Sequence, residues 1–325
     1  VTIPQELKVF TVNRGEPVDQ ALQKLHAEHL LPPPLVLRLY LKLTRQQPNI
    51  GAGTYSFPDR ASPLEILALL QQGTNFERFT VVEGWNRFDI AEAMARVNVL
   101  KLSDRKDAMR LFNNTNLIQD LDPAAKNLEG YLYPDTYFLD PDTTGQELVS
   151  EMVSRFKKVW QQRLQNDAMR RRMRVHDAVV VASLIETEAK LPEERPVIAS
   201  VIYNRLRASM PLSIDSTLVY ASKLAGTWRN DGHVYLSDVN RVSPYNTRKI
   251  SGLPPGAVGS PGLASLEAAL NPAHTNYLFY VRNPCRNDGA HNFYSDEKGF
   301  EVGVAALRAW EKQQKHILPA LRRSS

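Results

Sequence analysis

The sequence predicts an α+β protein in two parts, a small β-α-α-β module over residues 1–75 and a larger, helix-rich domain over residues 76–325. Three observations carry that expectation. At 325 residues the chain exceeds one small core, and its 43% hydrophobic content is ordinary for burying a larger one. Residues 1–75 mix short β-type runs with helical patterns. The run DAVVVASLIETEAKLP, Asp177 to Pro192, reads as a buried helix that carries two carboxylates.

Val9 to Gly15 (VFTVNRG) reads as a strand and turn. Leu22, Leu25 and Leu30 then follow helical spacing, Pro32 to Pro34 break that helix, and Leu35 to Leu43 forms another. Gly53 to Phe57 (GTYSF) is a second short strand. Ser62 followed by Pro63 starts a helix, ASPLEILALLQQ, that closes at Gly73. In element order this module resembles the LysM fold, a glycan-binding unit. Phe10-Thr11-Val12 and Gly15 recur as Phe79-Thr80-Val81 and Gly84, each before an amphipathic helix; two copies are too few for a solenoid.

Trp85 to Phe112 reads as helical and Asn113 to Asn116 as a turn. Gly130 to Phe138 (GYLYPDTYF) is aromatic, suited either to the core or to a sugar-facing wall. A long helix is expected from about Thr144 to Arg174, the key helix follows it, and Glu193 to Ala208 forms another. Met210 to Tyr220 carries Asp215 and Thr217. Val242 to Gly262 is rich in Pro and Gly and holds Tyr245, Asn246 and Thr247, polar groups able to hydrogen-bond a sugar, so a binding loop is expected there. Leu263 to Leu270 reads as a helix, Tyr277 to Val281 and Phe293-Tyr294 as paired strands, and the last helix runs through Trp310.

Within the key helix Asp177 is the expected N-cap and Pro192 the stop. At roughly 100° per residue Glu186 and Glu188 point about 200° apart, so one cleft cannot receive both. Glu188 extends the stripe of Val181, Leu184 and Ile185, whereas Glu186 has Lys190 four residues on as a charge partner. A carboxyl against apolar surface keeps its proton to higher pH, which is what a general acid for glycosidic cleavage requires. The alternative is a Glu188 that only caps the helix end beside solvent. Val179, on the Glu186 side, fits a helix buried nearly all round.

The net charge of +5 suits an anionic polymer or a membrane surface and is too small to indicate nucleic acid. Arg170, Arg171, Arg172 and Arg174 read as a solvated face, since no aromatic residue is interleaved. Cys285 is the only cysteine, so no intrachain disulfide forms and no thiol pair offers a zinc site. His26 and His29 share a helix face but lack metalloprotease spacing; His233 and His291, expected in loops, are weak candidates for glycan contact by position alone. No metal or cofactor is expected. No stretch approaches the ~20 apolar residues of a membrane span. The chain opens at Val1 with no initiator Met or signal pattern, which leaves room for an amino-terminal anchor.

Taken together, several segments carry a resemblance to a family. These are EGYLYPDTY (Glu129–Tyr137), ASLIETE (Ala182–Glu188), YNRLR (Tyr203–Arg207), IDSTLVY (Ile214–Tyr220), SPYNT (Ser243–Thr247), GLPPGAVGSPG (Gly252–Gly262) and SLEAALNP (Ser265–Pro272), with the strand YLFYV. In these the chain resembles the MltG (YceG-like) endolytic murein transglycosylases of bacteria. The resemblance implies a LysM-like module, a lysozyme-like catalytic domain and an inner-membrane, periplasm-facing protein held by one amino-terminal helix. It implies cleavage of the MurNAc–GlcNAc β-1,4 bond of nascent peptidoglycan strands without water, leaving 1,6-anhydro-MurNAc ends, as a terminase working beside peptidoglycan synthases. The family's E-x-E pattern puts its catalytic glutamate at Glu188. Ala189 stands where the family often has Thr, and Asp215-Ser216-Thr217 replaces a DPT triplet. Asp215, Thr217, Tyr245, Asn246 and Thr247 are the expected sugar-positioning residues, followed by Tyr203 and Asn204. Each also has a structural reading: a helix cap for Asp215, a turn for Asn246, core packing for Tyr203. Two other functions remain open, a water-using muramidase and a glycan-binding divisome protein without activity.

Overall fold

The structure is a computed structural model that describes residues 3, 9–12, 16–44, 50, 51, 53–72, 77–140 and 142–321. It is a helix-rich α+β chain that divides into two compact units, 1–79 with 137–144, and 80–136 with 145–325. The expected turn at Gly15 and the stop at Gly73 lie outside the described residues.

In the first unit β1 (Val9–Val12) and β2 (Gly53–Ser56) pair antiparallel, with Phe10 opposite Tyr55. Between them in the chain lie α1 (Val18–Ala27) and α2 (Pro34–Thr44); α3 (Pro63–Gln72) follows. Leu22, Leu25, Leu37, Leu41, Ile66 and Leu70 put helical-period apolar faces into one core with Phe10 and Tyr55. Ser62 and Glu65 exchange backbone and side-chain hydrogen bonds at the start of α3, reciprocally satisfying donors that a helix start leaves free. A second two-stranded sheet joins β3 (Glu77–Thr80) to a later strand, β4.

The stretch expected to be helical from Trp85 to Phe112 is broken. It contains α4 (Arg87–Met94), a 3-10 turn at Asn98–Leu100 and α5 (Arg105–Leu111). Asn86 caps α4, and Asp104 caps α5 by accepting from Lys106 N and Asp107 N, so the interruption has its own start signal. β4 is Thr136–Leu139. The long helix expected next is α6 (Gly145–Val159), a π-helical turn at Trp160–Leu164 and α7 (Gln165–Arg171), ended by Arg172 in the left-handed region.

The key helix is α8 (Val175–Glu188), and every residue from Ala178 to Ile185 is buried. Three consecutive valines would favour a strand on local preference alone; burial against neighbours on all sides decides for the helix. Its cap differs from expectation. Arg174 occupies the N-cap position, and Asp177 lies inside the first turn, bonded to the Arg174 guanidinium at 2.8 and 2.9 Å. The chain continues through α9 (Arg195–Arg207), α10 (Asp215–Leu224), a short α11 (Leu236–Val239), α12 (Leu263–Leu270), β5 (Phe279–Arg282), β6 (His291–Tyr294) and α13 (Glu297–Leu321). α8 packs most heavily on α12, then on α9. The 242–262 loop is wrapped onto α8. Val258 N donates to Ser183 Oγ at 3.1 Å and Gly262 N to Glu186 Oε2 at 2.8 Å, and residues 257–262 are all buried. Among the described residues no helix is long and apolar enough to cross a membrane.

Candidate active site

Glu188 is the last residue of α8, because Ala189 turns extended (φ −71°, ψ 125°). That break also overturns the expected Glu186–Lys190 pairing, since Lys190 is no longer on the helix. Glu186 instead meets Arg195 at 3.2 Å, with both side chains largely buried. The two carboxylates therefore part company as their helical phase requires, Glu186 into an ion pair and Glu188, among the described residues, into no salt bridge. Glu188 Oε2 accepts a hydrogen bond from the hydroxyl of Tyr280, on β5, at 2.9 Å.

Glu188 opens onto a groove of about 430 Å³ whose walls come from 210–213, Asp215 at the start of α10, Arg248, and Phe279, Tyr280 and Phe300. Arg205 ties these walls together. Its Nε donates to Leu278 O at 2.6 Å, its Nη1 to Pro211 O and Leu212 O at 3.1 and 2.8 Å, and its guanidinium covers the Phe279 ring at 5.1 Å. Phe279 and Phe300 stack with centroids 5.1 Å apart, giving the groove a flat apolar side suited to a sugar face. Asp215 and Arg248 supply a charged side, paired at 2.7 Å.

Burial pushes the Glu188 carboxyl above its ordinary value, and the Asp215 charge adds to the rise. The Tyr280 hydroxyl, His291 and Lys190 pull the other way without cancelling it. The negative end of the α8 dipole also disfavours a carboxylate in the last turn. The group can thus hold a proton where a solvated glutamate has lost it, and a groove of about 430 Å³ lies beside it.

Of the other expected sugar contacts only Asp215 lines this groove. Thr217, Asn246 and Thr247 are fully buried. Thr217 Oγ1 donates to Ile214 O at 2.6 Å and lies 2.8 Å from Thr247 Oγ1, which accepts from Ile214 N at 3.0 Å. Asn246 Nδ2 donates to Val239 O and Arg241 O at 2.9 and 2.7 Å. With these bonds made, Thr217 and Thr247 hold the loop to the start of α10 and Asn246 holds it to the end of α11 instead of presenting donors to the groove, and Arg248, two residues beyond Asn246, is what the loop contributes there. Tyr245 packs against Tyr220 at 4.9 Å. Tyr203 donates to Ala269 O at 2.6 Å, and Asn204 to Thr275 O and Tyr277 O at 2.9 and 2.8 Å, tying α9 to α12 and to the chain after it. His291, expected in a loop, begins β6.

A second buried carboxyl, Glu129, is pushed up to about 7 by burial, against the opposing pull of the Arg87 backbone N–H, which lies 3.1 Å from both its oxygens. It borders a small cavity with Tyr131, His176 and Tyr245 and does not line the groove. Tyr280, Arg205, Arg248, Phe279 and Phe300 were not singled out from the sequence. The strand YLFYV holds Phe279 and Tyr280 and the segment YNRLR holds Arg205, but neither pattern indicates which side chains meet Glu188.

The YceG-like family model matches residues 10–306. The chain is 36% identical over 218 residues to the endolytic murein transglycosylase of Bacillus subtilis (strain 168), covering 63% of this chain and 58% of that protein. It is 28% identical over 294 residues to the endolytic murein transglycosylase of Streptococcus pneumoniae serotype 2, covering 83% of this chain and 53% of that one. The chain thus spans little more than half the length of the curated relatives it matches. A crystal structure of a yceG-like protein from Listeria monocytogenes is similar with a TM-score of 0.62 at 25% identity, over 90% of this chain and 98% of that chain.

Proposed function

This chain belongs to the YceG-like family, and from that membership and the groove around Glu188 we infer that it is an endolytic lytic transglycosylase of peptidoglycan. The observation that carries the reading is a half-buried carboxyl with a raised proton affinity, bonded to Tyr280 and, among the described residues, in no salt bridge, beside a groove of about 430 Å³. In the reaction Glu188 donates its proton to the glycosidic oxygen of a MurNAc–GlcNAc β-1,4 link as the C1–O bond opens toward an oxocarbenium-like state. The resulting carboxylate takes the proton of the same MurNAc's C6 hydroxyl, and O6 bonds to C1. Water is neither consumed nor released, and the product carries a 1,6-anhydro end. One carboxyl suffices because the nucleophile is already attached to the substrate, so a high effective molarity replaces the second carboxylate of most glycosidases. Asp215 and the Phe279–Phe300 face hold the sugars.

On the same reading residues 1–75 form a LysM-like glycan-binding module and residues 76–325 a lysozyme-like catalytic domain. The protein works at the periplasmic face of the inner membrane beside peptidoglycan synthases, and cutting nascent strands ends their growth. Membership of a family with transglycosylase relatives, together with the groove, supports this assignment.

Mass analysis of the ends released from nascent, uncrosslinked strands tests it. Anhydro-MurNAc ends are expected. Reducing ends would mean that water attacks, with Asp215 as the second carboxylate, and strand binding with no cleavage would leave only a glycan-binding role.

A further inference from the structure

The end of α8, the turn after it and the β5–β6 hairpin form a closed circuit of contacts around Glu188. The chain leaves α8 at Glu188 and passes through a 3-10 turn at Pro192–Glu194. Glu194 is buried and grips β6 twice: Oε1 accepts the backbone N–H of His291 at 2.7 Å, and Oε2 lies 2.7 Å from His291 Nδ1. The His291 ring stands edge-on to the Tyr280 ring, with centroids 5.3 Å apart at 80°. Phe293, the cross-strand partner of Tyr280, lies 6.1 Å away on the same side. From that bracket the Tyr280 hydroxyl returns to Glu188 Oε2.

We propose that Tyr280 is a positioning residue for Glu188, holding Oε2 so that Oε1 is the oxygen that carries and transfers the proton, with the Glu194–His291 pair fixing the hairpin that presents it. This rests on the reading of Glu188 as the acid. A carboxyl at a helix end has free side-chain torsions, and proton transfer demands one orientation within hydrogen-bond reach of the glycosidic oxygen. A phenol is suited to this part, because burial and the adjacent Glu188 keep it protonated far above neutral pH, so it always donates. The remaining charged or titratable groups around Glu188 are Asp215 from α10, Lys190 from the segment after α8 and His291 from β6, with Arg205 and Arg248 in the groove wall.

The test compares wild type, Tyr280→Phe and Glu188→Gln in the full chain, measuring kcat and KM against pH on nascent glycan strands. Tyr280→Phe is expected to lower kcat about tenfold to a hundredfold, the worth of a hydrogen bond to a charged group, with little change in KM. It should also move the alkaline limb of kcat to higher pH. The phenol stabilises the carboxylate, so its loss leaves the proton more tightly held. A merely structural role would depress activity at every pH and leave the limb in place. Should Tyr280→Phe fail to fold, a fluorotyrosine placed at position 280 alone is a stronger donor and is expected to move the limb to lower pH. Wild-type kcat and an unmoved limb in Tyr280→Phe, beside an inactive Glu188→Gln, would overturn the role of Tyr280 alone. An active Glu188→Gln would instead overturn the reading of the site.

Discussion

Glu188→Gln is expected to reduce cleavage of nascent glycan strands by at least about 10²–10⁴-fold, the usual contribution of a general acid–base. The substitution keeps the shape of the side chain and an oxygen for the Tyr280 hydroxyl, but the amide has no proton to give at any accessible pH. Both half-reactions are lost together, because the same carboxyl gives the first proton and takes the second. Folding should survive, and its pH dependence provides an internal check. The Glu188 carboxyl is raised in the folded state, so the wild type loses stability relative to the variant as pH climbs through that raised value. At neutral pH and above Glu188→Gln should melt at or above the wild-type temperature, and the gap should close in acid. An inactive variant that melts well below wild type at every pH would point to a structural role for Glu188.

Gly130→Ala carries the largest expected stability effect, about 2–4 kcal/mol of destabilisation. Gly130 has φ +85°, and an added Cβ would lie 2.6 Å from Val179 Cγ1 of α8 and 2.7 Å from Ala257 Cβ of the wrapped loop. Neither neighbour can yield easily, since Val179 and Ala257 are both buried. Gly226→Ala is the control. Gly226 also has positive φ (+68°) but meets nothing within 4 Å, so it should show only the backbone cost of roughly 1–2 kcal/mol. Chemical denaturation of both variants measures the difference, and equal losses would mean that Gly130 is not tightly enclosed.

What the sequence revealed, and what it hid, follows from the range of the interactions. Helical phase separated Glu186 from Glu188 because that is a local property of one helix. The partner of Glu186 was misread for a related reason: a helix end two residues away puts Lys190 off the expected face and lets Arg195 in. Tyr280 lies 92 residues from Glu188 in the chain, and no local pattern brings the two together. Polar loop residues were equally ambiguous. Thr217, Asn246 and Thr247 have the chemistry to bind a sugar or to satisfy a buried turn, and only their burial distinguishes the two. Between Trp85 and Phe112 the pattern reads as helical throughout, whereas Asp104 caps a separate helix within that stretch.

Cleavage by this mechanism depends on a proton resting on one carboxyl in the groove, and direct titration of that carboxyl tests it. With glutamate labelled at the side-chain carbon, NMR across pH, using Glu188→Gln to assign the resonance, reads its midpoint. A midpoint above the ordinary 4.5 of a glutamate is expected. A midpoint at or below 4.5 would mean that Glu188 has given up its proton before the reaction begins, and the mechanism would be contradicted.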